Sequence, residues 1–174
     1  WADDVSRLDE LYRAAQGLRE NLGPQVVFAD MSRQMLFNTR VPLGTVLPQL
    51  PRTAGHAALD EVLETGKPAV GDTLYGPVLK REVFAVIVPV TRDGQMTALL
   101  ISVFDIRQFQ DLFTSFSLPR DWTVTLRDGK GDVIAGHVPS DGAAAGAFDL
   151  GASHYVANSA LSYWRVELDL PSIL

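Results

Sequence analysis

The stretch Leu36 to Gly44 (LFNTRVPLG) holds the most suggestive chemistry in the sequence. Asn38 and Arg40 follow apolar Leu36 and Phe37 at the end of a strand-like run, and a proline-bearing loop begins directly after them. An arginine so placed can offer a bidentate fork to a carboxylate. It can equally pin the following loop by bonding backbone carbonyls. Further on, Tyr75, Lys80 and Arg81 flank the apolar run Val83 to Val90. In that run Phe84, Val86 and Val88 face one way while Val83, Ala85 and Ile87 face the other. Apolar residues on both faces imply a strand covered on both sides, by helices or by a helix and a ligand pocket. Packing alone also accounts for the pattern. A pocket needs mostly apolar walls and a few polar groups that fix orientation. The candidate ligand-binding residues are therefore Asn38, Arg40, Tyr75, Arg81 and Phe84. They place a site between the sheet face carrying Phe84 and the loop after Arg40, with Tyr75 at the rim, suited to a small anionic or polar ligand.

Other chemistries find little support. There is no nucleophile elbow, P-loop or dinucleotide fingerprint, and no catalytic residue is nominated. Gly129, Gly131 and Gly136 read as a turn entering a strand, since no helix pattern follows them to supply an anion-binding N-terminus. His56, His137 and His154 lack paired-ligand spacing, so no metal or cofactor is expected. Asp60 and Glu64 share one face of a short helix, where a solvated acidic surface explains them. With no cysteines, disulfides and thiolate sites are excluded. The net charge of −6 comes from interspersed acids and bases and leaves no basic stripe for nucleic acid. No apolar run approaches the roughly 20 residues of a membrane span. Both ends cut into patterned sequence, so the expectation is a segment of a longer protein.

The elements that must hold these residues follow from periodicity. Val5, Leu8, Leu11, Tyr12, Ala15, Leu18 and Leu22 form one helical stripe, ended by Gly23-Pro24. Gln25–Asp30 and Met35–Asn38 form a hairpin around a polar turn, Met31 to Gln34. Residues 41–54 form a loop, and 56–65 a helix presenting Ala58, Leu59, Val62 and Leu63, stopped at Gly66. A strand run spans Ala69–Tyr75. Asp93-Gly94, between Glu82–Val90 and Met96–Val103, is the strongest hairpin signal. Asp105 is expected to cap a helix that buries Ile106, Phe109, Leu112, Phe113 and Phe116. Residues 25–104 should thus form one five-stranded antiparallel sheet. Beyond Pro119, Trp122–Arg127 and Asp132–Gly136 form a hairpin. Residues 139–152 read as a loose connector, and Tyr155–Ala160 with Trp164–Leu170 complete a smaller sheet. Setting Asp30 opposite Asp128 aligns VVFADMSRQMLFN (26–38) with VTLRDGKGDVIAG (124–136), the pattern of a duplicated small domain.

The order of these features resembles a tandem Cache (double PAS-like) sensor domain of bacterial sensor histidine kinases. A long helix leads into a hairpin with Asp at its turn. LFNTRVPLG, a short helix and ISVFDIRQFQDLF (101–113) follow, then WTVTLRDGKGDVIAG and SALSYWRVELDLP (159–171). The resemblance implies an α+β fold of two PAS-like modules, each a central antiparallel sheet flanked by helices: a signalling helix (1–24), a membrane-distal module (25–118) and a smaller proximal one (119–174). It implies a periplasmic sensor, not an enzyme, held by spans outside this sequence and binding a small molecule in the distal module. The Tyr, Arg, Trp and Asp set by which amino-acid-sensing members grip their ligand is not matched, Tyr75 alone lying near one such position. A chemoreceptor, a cyclic-dinucleotide synthase or a protein-partner module would be read from the same pattern. The leading helix suggests a weak homodimer.

Overall fold

The computed structural model describes residues 2–139 and 153–171, the first four by backbone alone. Most of the connector expected at 139–152 lies outside the described residues. The chain divides into two compact units, Trp1–Asp105 and Ile106–Leu174.

The first unit opens with helix α1 (Ala2–Leu22), whose end is bonded by Gly23 N–H to Arg19 O at 2.9 Å. Then come β1 (Gln25–Asp30), β2 (Met35–Asn38), α2 (Ala58–Thr65), β3 (Ala69–Val70), β4 (Leu74–Gly76), β5 (Arg81–Arg92) and β6 (Gln95–Asp105). The strands form one antiparallel sheet of six in the order β2-β1-β6-β5-β3, with β4 also paired to β5. Six replaces the expected five because the run 69–75 breaks. Asp72 turns away there, its N–H donating to His56 O and its Oδ2 accepting from His56 N–H. The β5–β6 hairpin forms as expected, with Asp93 and Gly94 at φ +52° and +77°. Both central positions of a tight type I′ turn need positive φ, which glycine adopts without strain.

The two faces of this sheet carry separate cores. Val26 and Phe37 meet α1 through Ala15, Leu8 and Tyr12, and Tyr12 lies edge-on to Phe37. On the other face Val27, Ala29, Leu99, Ile101 and Ile87 pack with Ala58, Leu59 and Val62 of α2. Leu63, expected inside, stands half-exposed at the edge of that helix. The flanked sheet is the α+β arrangement expected.

The second unit contains α3 (Arg107–Ser115), β7 (Thr123–Arg127), β8 (Val133–His137), β9 (Ser153–Asn158) and β10 (Arg165–Leu170). Its antiparallel sheet runs β8-β7-β10-β9. The N-cap position of α3 is Ile106. The Asp105 carboxylate, at the end of β6 in the first unit, accepts from Arg81 of that same unit. Phe113 is buried, whereas Leu112 and Phe116 are about half-exposed, so the helix presents a narrower apolar face than its spacing suggests. The side chain of Gln110 pairs reciprocally with Gly136, bonding its O at 3.0 Å and its N–H at 3.1 Å. Gly136 is obligatory there, because a Cβ would lie 2.8 Å from Val124 O. Trp164 is buried with its ring edge-on to Phe109.

The aligned hairpins match in detail. Asp30 N–H bonds Gln34 O and Asp128 N–H bonds Asp132 O, each at 3.0 Å. Arg33 and Gly131, at the same place in each turn, both have positive φ, +73° and +93°. Each hairpin has a register shift just before its turn, at Phe28/Ala29 and at Leu126/Arg127. The strand orders β2-β1-β6-β5 and β8-β7-β10-β9 also coincide.

Candidate functional site

A cavity opens in the first unit, on the sheet face that carries Val27. Its floor is one phase of three neighbouring strands: Gln25 and Val27 of β1, Ile101 and Val103 of β6, Val83 and Ala85 of β5. Its roof is Leu50 and Pro51 of the loop after β2, with Leu74 and the segment 76–79. A second lobe runs on towards α2, sharing Leu50, Pro51, Leu74, Ala85 and Ile101 and adding Leu59 and Ile87. Each lobe holds about 50 Å³.

The roof is held by the β1–β2 turn. Arg33 donates through Nη2 to Leu50 O and Pro51 O, both at 3.0 Å. Leu50 N–H donates to Arg33 O at 2.8 Å, and Gln34 Nε2 donates to Leu47 O at 2.8 Å. The turn owes its shape to Asp30, whose Oδ1 accepts from Ser32 N–H, Ser32 Oγ and Gln34 N–H at 2.8, 2.6 and 3.0 Å. The Ser32 hydroxyl, with those backbone N–H groups, holds the Asp30 carboxyl below its ordinary value of 3.8 despite an opposing cost of burial.

The walls are apolar. Among the described residues, Gln25 is the one polar side chain lining the first lobe, and Thr53 the one lining the second. Gln25 is 6% exposed, and its Oε1 is buried without a hydrogen-bond partner. A buried, unmade hydrogen bond costs roughly 1–3 kcal/mol, so such a group is worth explaining.

None of the five residues nominated from sequence lines either lobe. Phe84 is on the opposite sheet face, stacked on Phe104 with ring centres 5.0 Å apart. It alternates with the lining residues Val83 and Ala85, so this cavity lies on the other sheet face from Phe84. Asn38 pairs with Val27 in register and shares its face at the sheet edge. It is buried, its Oδ1 accepting from Arg40 N–H at 3.0 Å. Arg40 is exposed. Arg81 is bonded to Asp105 at 2.9 Å, so the two arginines do not converge. Tyr75 is 59% exposed, between the lining residues Leu74 and Gly76.

Sequence reasoning missed Gln25, Arg33 and the Leu50-Pro51 roof. Gln25 left a signal: it is in phase with Val27 and Ala29, a polar residue on the buried side of a strand. The Arg33 bonds leave none, because they depend on how a loop folds back over the sheet.

Neither a family model nor a curated protein matches this chain. Solved structures do match in fold. The ligand-binding domain of the Campylobacter jejuni chemoreceptor Tlp3, in complex with 4-methylisoleucine, superposes with a TM-score of 0.62 at 14% identity, over 92% of this chain and 70% of that one. The extracellular domain of rpHK1S-Z16, described as a histidine kinase, gives 0.58 at 12% identity, over 92% and 76%. The ligand-binding domain of the Pseudomonas aeruginosa PAO1 amino-acid chemoreceptor PctB, in complex with L-Arg, gives 0.55 at 9% identity, over 84% and 70%. The chain thus shares the α+β fold of these domains. At such identities the likeness is one of fold.

Proposed function

We propose that this chain is the extracytoplasmic sensor portion of a bacterial membrane receptor and binds a small molecule in the cavity beneath Leu50 and Pro51. The observation that carries the reading is an apolar cavity built between sheet and loop, its roof fastened by Arg33 and Gln34. Structures of the same fold are ligand-binding domains, two of them solved with amino acids. In this reading residues 25–118 are the membrane-distal module, 119–174 the proximal one, and 1–24 the signalling helix, with spans on either side of the chain. The location is periplasmic. The fragment binds and transmits; it does not catalyse.

The output we favour is a histidine kinase, from the order of the sequence features and the extracellular domain of rpHK1S-Z16. A chemoreceptor or a cyclic-dinucleotide synthase would use the same sensor. Transmission has a physical route inside the first unit. Tyr12 donates its hydroxyl to Val41 O and Arg19 donates to Thr39 O, both at 2.9 Å, tying α1 to the chain where the roof loop begins. A ligand that binds better to one position of that loop shifts the population of α1 positions with it. An anionic ligand would have to draw Arg81 away from Asp105 or recruit an exposed cation such as Arg40, Arg52 or Lys80.

The test is a thermal-shift screen of small molecules against the wild type and Ala85→Leu, which fills both lobes. Ligand at about 100 times its Kd adds roughly 2.7 kcal/mol of stability, a shift of several degrees. Hits should lose that shift in Ala85→Leu. Hits that stabilise both proteins equally would move the site elsewhere.

A further inference from the structure

Resting on the cavity reading above, we infer that the site selects a short, uncharged aliphatic molecule carrying one hydroxyl, such as a small alcohol, and rejects carboxylates and zwitterionic amino acids. Three observations converge on this class.

The first is charge. Among the described residues lining the two lobes there is no Lys, Arg, His, Asp or Glu. A carboxylate or ammonium brought there would lose its hydration and meet no opposite charge, a penalty of several kcal/mol. Of the cations that flank the cavity elements in sequence, Arg33 bonds the roof carbonyls, Arg81 bonds Asp105, and Arg40, Arg52 and Lys80 are exposed and outside the lining.

The second is an orphaned polar atom in the cavity wall. Gln25 lines the first lobe with its Oε1 buried and unpartnered. A ligand hydroxyl satisfies it by donating to the amide oxygen. A hydroxyl is also indifferent to amide orientation, since it can accept from the NH₂ as readily. Gln25 is held by its strand, opposite Val103 on β6, so it does not need to be ordered on binding.

The third is size. The two lobes hold about 50 Å³ each, less together than a 150 Å³ apolar cavity that takes benzene. Without movement of the roof, the occupant has roughly four to six heavy atoms.

The experiment uses the three methionines as reporters. Met35 lines the cavity, while Met31 is exposed in the β1–β2 turn and serves as control. The protein labelled with ¹³C at the Met methyl groups is titrated with 1-butanol, butyrate, L-valine and cyclopentane. In the wild type, 1-butanol should shift Met35 saturably and leave Met31 in place, with butyrate and L-valine at least tenfold weaker. In Gln25→Leu, 1-butanol should weaken about tenfold while cyclopentane, which has no hydroxyl, binds as well as before or better. That contrast separates recognition by Gln25 from a general change in packing. Tighter binding of butyrate or L-valine by the wild type overturns the inference, and this arm requires no variant. An unchanged ratio of 1-butanol to cyclopentane affinity in Gln25→Leu overturns it as well. Either result leaves the cavity reading intact if Met35 still responds. Silence of Met35 to all four probes, with screening hits indifferent to Ala85→Leu, removes the cavity and the inference together.

Discussion

Asp30 and Asp128 sit in different units and make the same bonds. Each Oδ1 accepts the backbone N–H two and four residues on: Ser32 and Gln34 in one, Lys130 and Asp132 in the other. A carboxylate closing a turn in this way replaces backbone bonds that a tight reversal cannot make. Asp128 is fully buried, whereas Asp30 remains partly open to solvent and is the better probe. Because the folded carboxyl of Asp30 lies below its ordinary 3.8, ionisation favours the folded state. That stabilisation is fully present above the unfolded value. It is lost as pH falls through the folded one. Asp30→Asn keeps one acceptor oxygen for the turn but cannot ionise. It should be less stable than the wild type near neutral pH by about 1 kcal/mol. The gap should shrink below about pH 4, as the wild-type carboxyl protonates. Urea midpoints measured from about pH 7 to pH 3 test this, and a gap that stays constant with pH would show that charge plays no part.

At the scale of elements, the β1–β2 turn acts as a clasp. Arg33 holds a left-handed backbone, φ +73°, where the matching turn of the second unit uses Gly131. Such a conformation costs a non-glycine residue roughly 1 kcal/mol, and the two guanidinium bonds to the roof offset it. Arg33→Gly should therefore keep the hairpin with a net stability change within about 1 kcal/mol. Amide exchange of residues 49–53 should nevertheless quicken, and any cavity ligand should dissociate faster. Unchanged exchange in that loop would mean that Arg33 does not hold the roof. These elements also mark how far the sequence could be read. Asp93-Gly94 was legible because turn chemistry is local and its positive φ values are demanded by the turn itself. The repeat around Asp30 and Asp128 was legible for the same reason. The face of β5 that lines the cavity was not, since Val83, Ala85 and Ile87 are as apolar as Phe84, Val86 and Val88. Phe84 stood out only by its size. Arg81 was read as a ligand group because its partner, Asp105, is 24 residues away and meets it only through the β5–β6 register.

For the whole molecule, α1 has two faces to satisfy. Leu8, Tyr12 and Ala15 pack against the sheet, so the helix is part of the first unit's core and not a free stalk. Leu11, Leu18 and Leu22 point away from it, 36%, 46% and 71% exposed. Their spacing of seven and then four residues follows the alternation of a coiled-coil seam, in which paired helices bury apolar positions a heptad apart. Three leucines fall far short of the roughly 1,000 Å² that a stable interface buries, so the isolated chain should associate weakly. Tethering to a membrane would raise the effective concentration enough to make the same contact persist. Sedimentation should accordingly give a monomer at low concentration and a shallow approach to dimer as concentration rises. Leu18→Lys should abolish that approach without lowering Tm by more than a degree or two, because the side chain is largely exposed. Deleting residues 1–20 should also give a monomer, but one several degrees less stable, since Ala15 and the Tyr12–Phe37 contact go with it. A tight dimer that survives the deletion would place the interface on the sheet or the second unit and separate α1 from association.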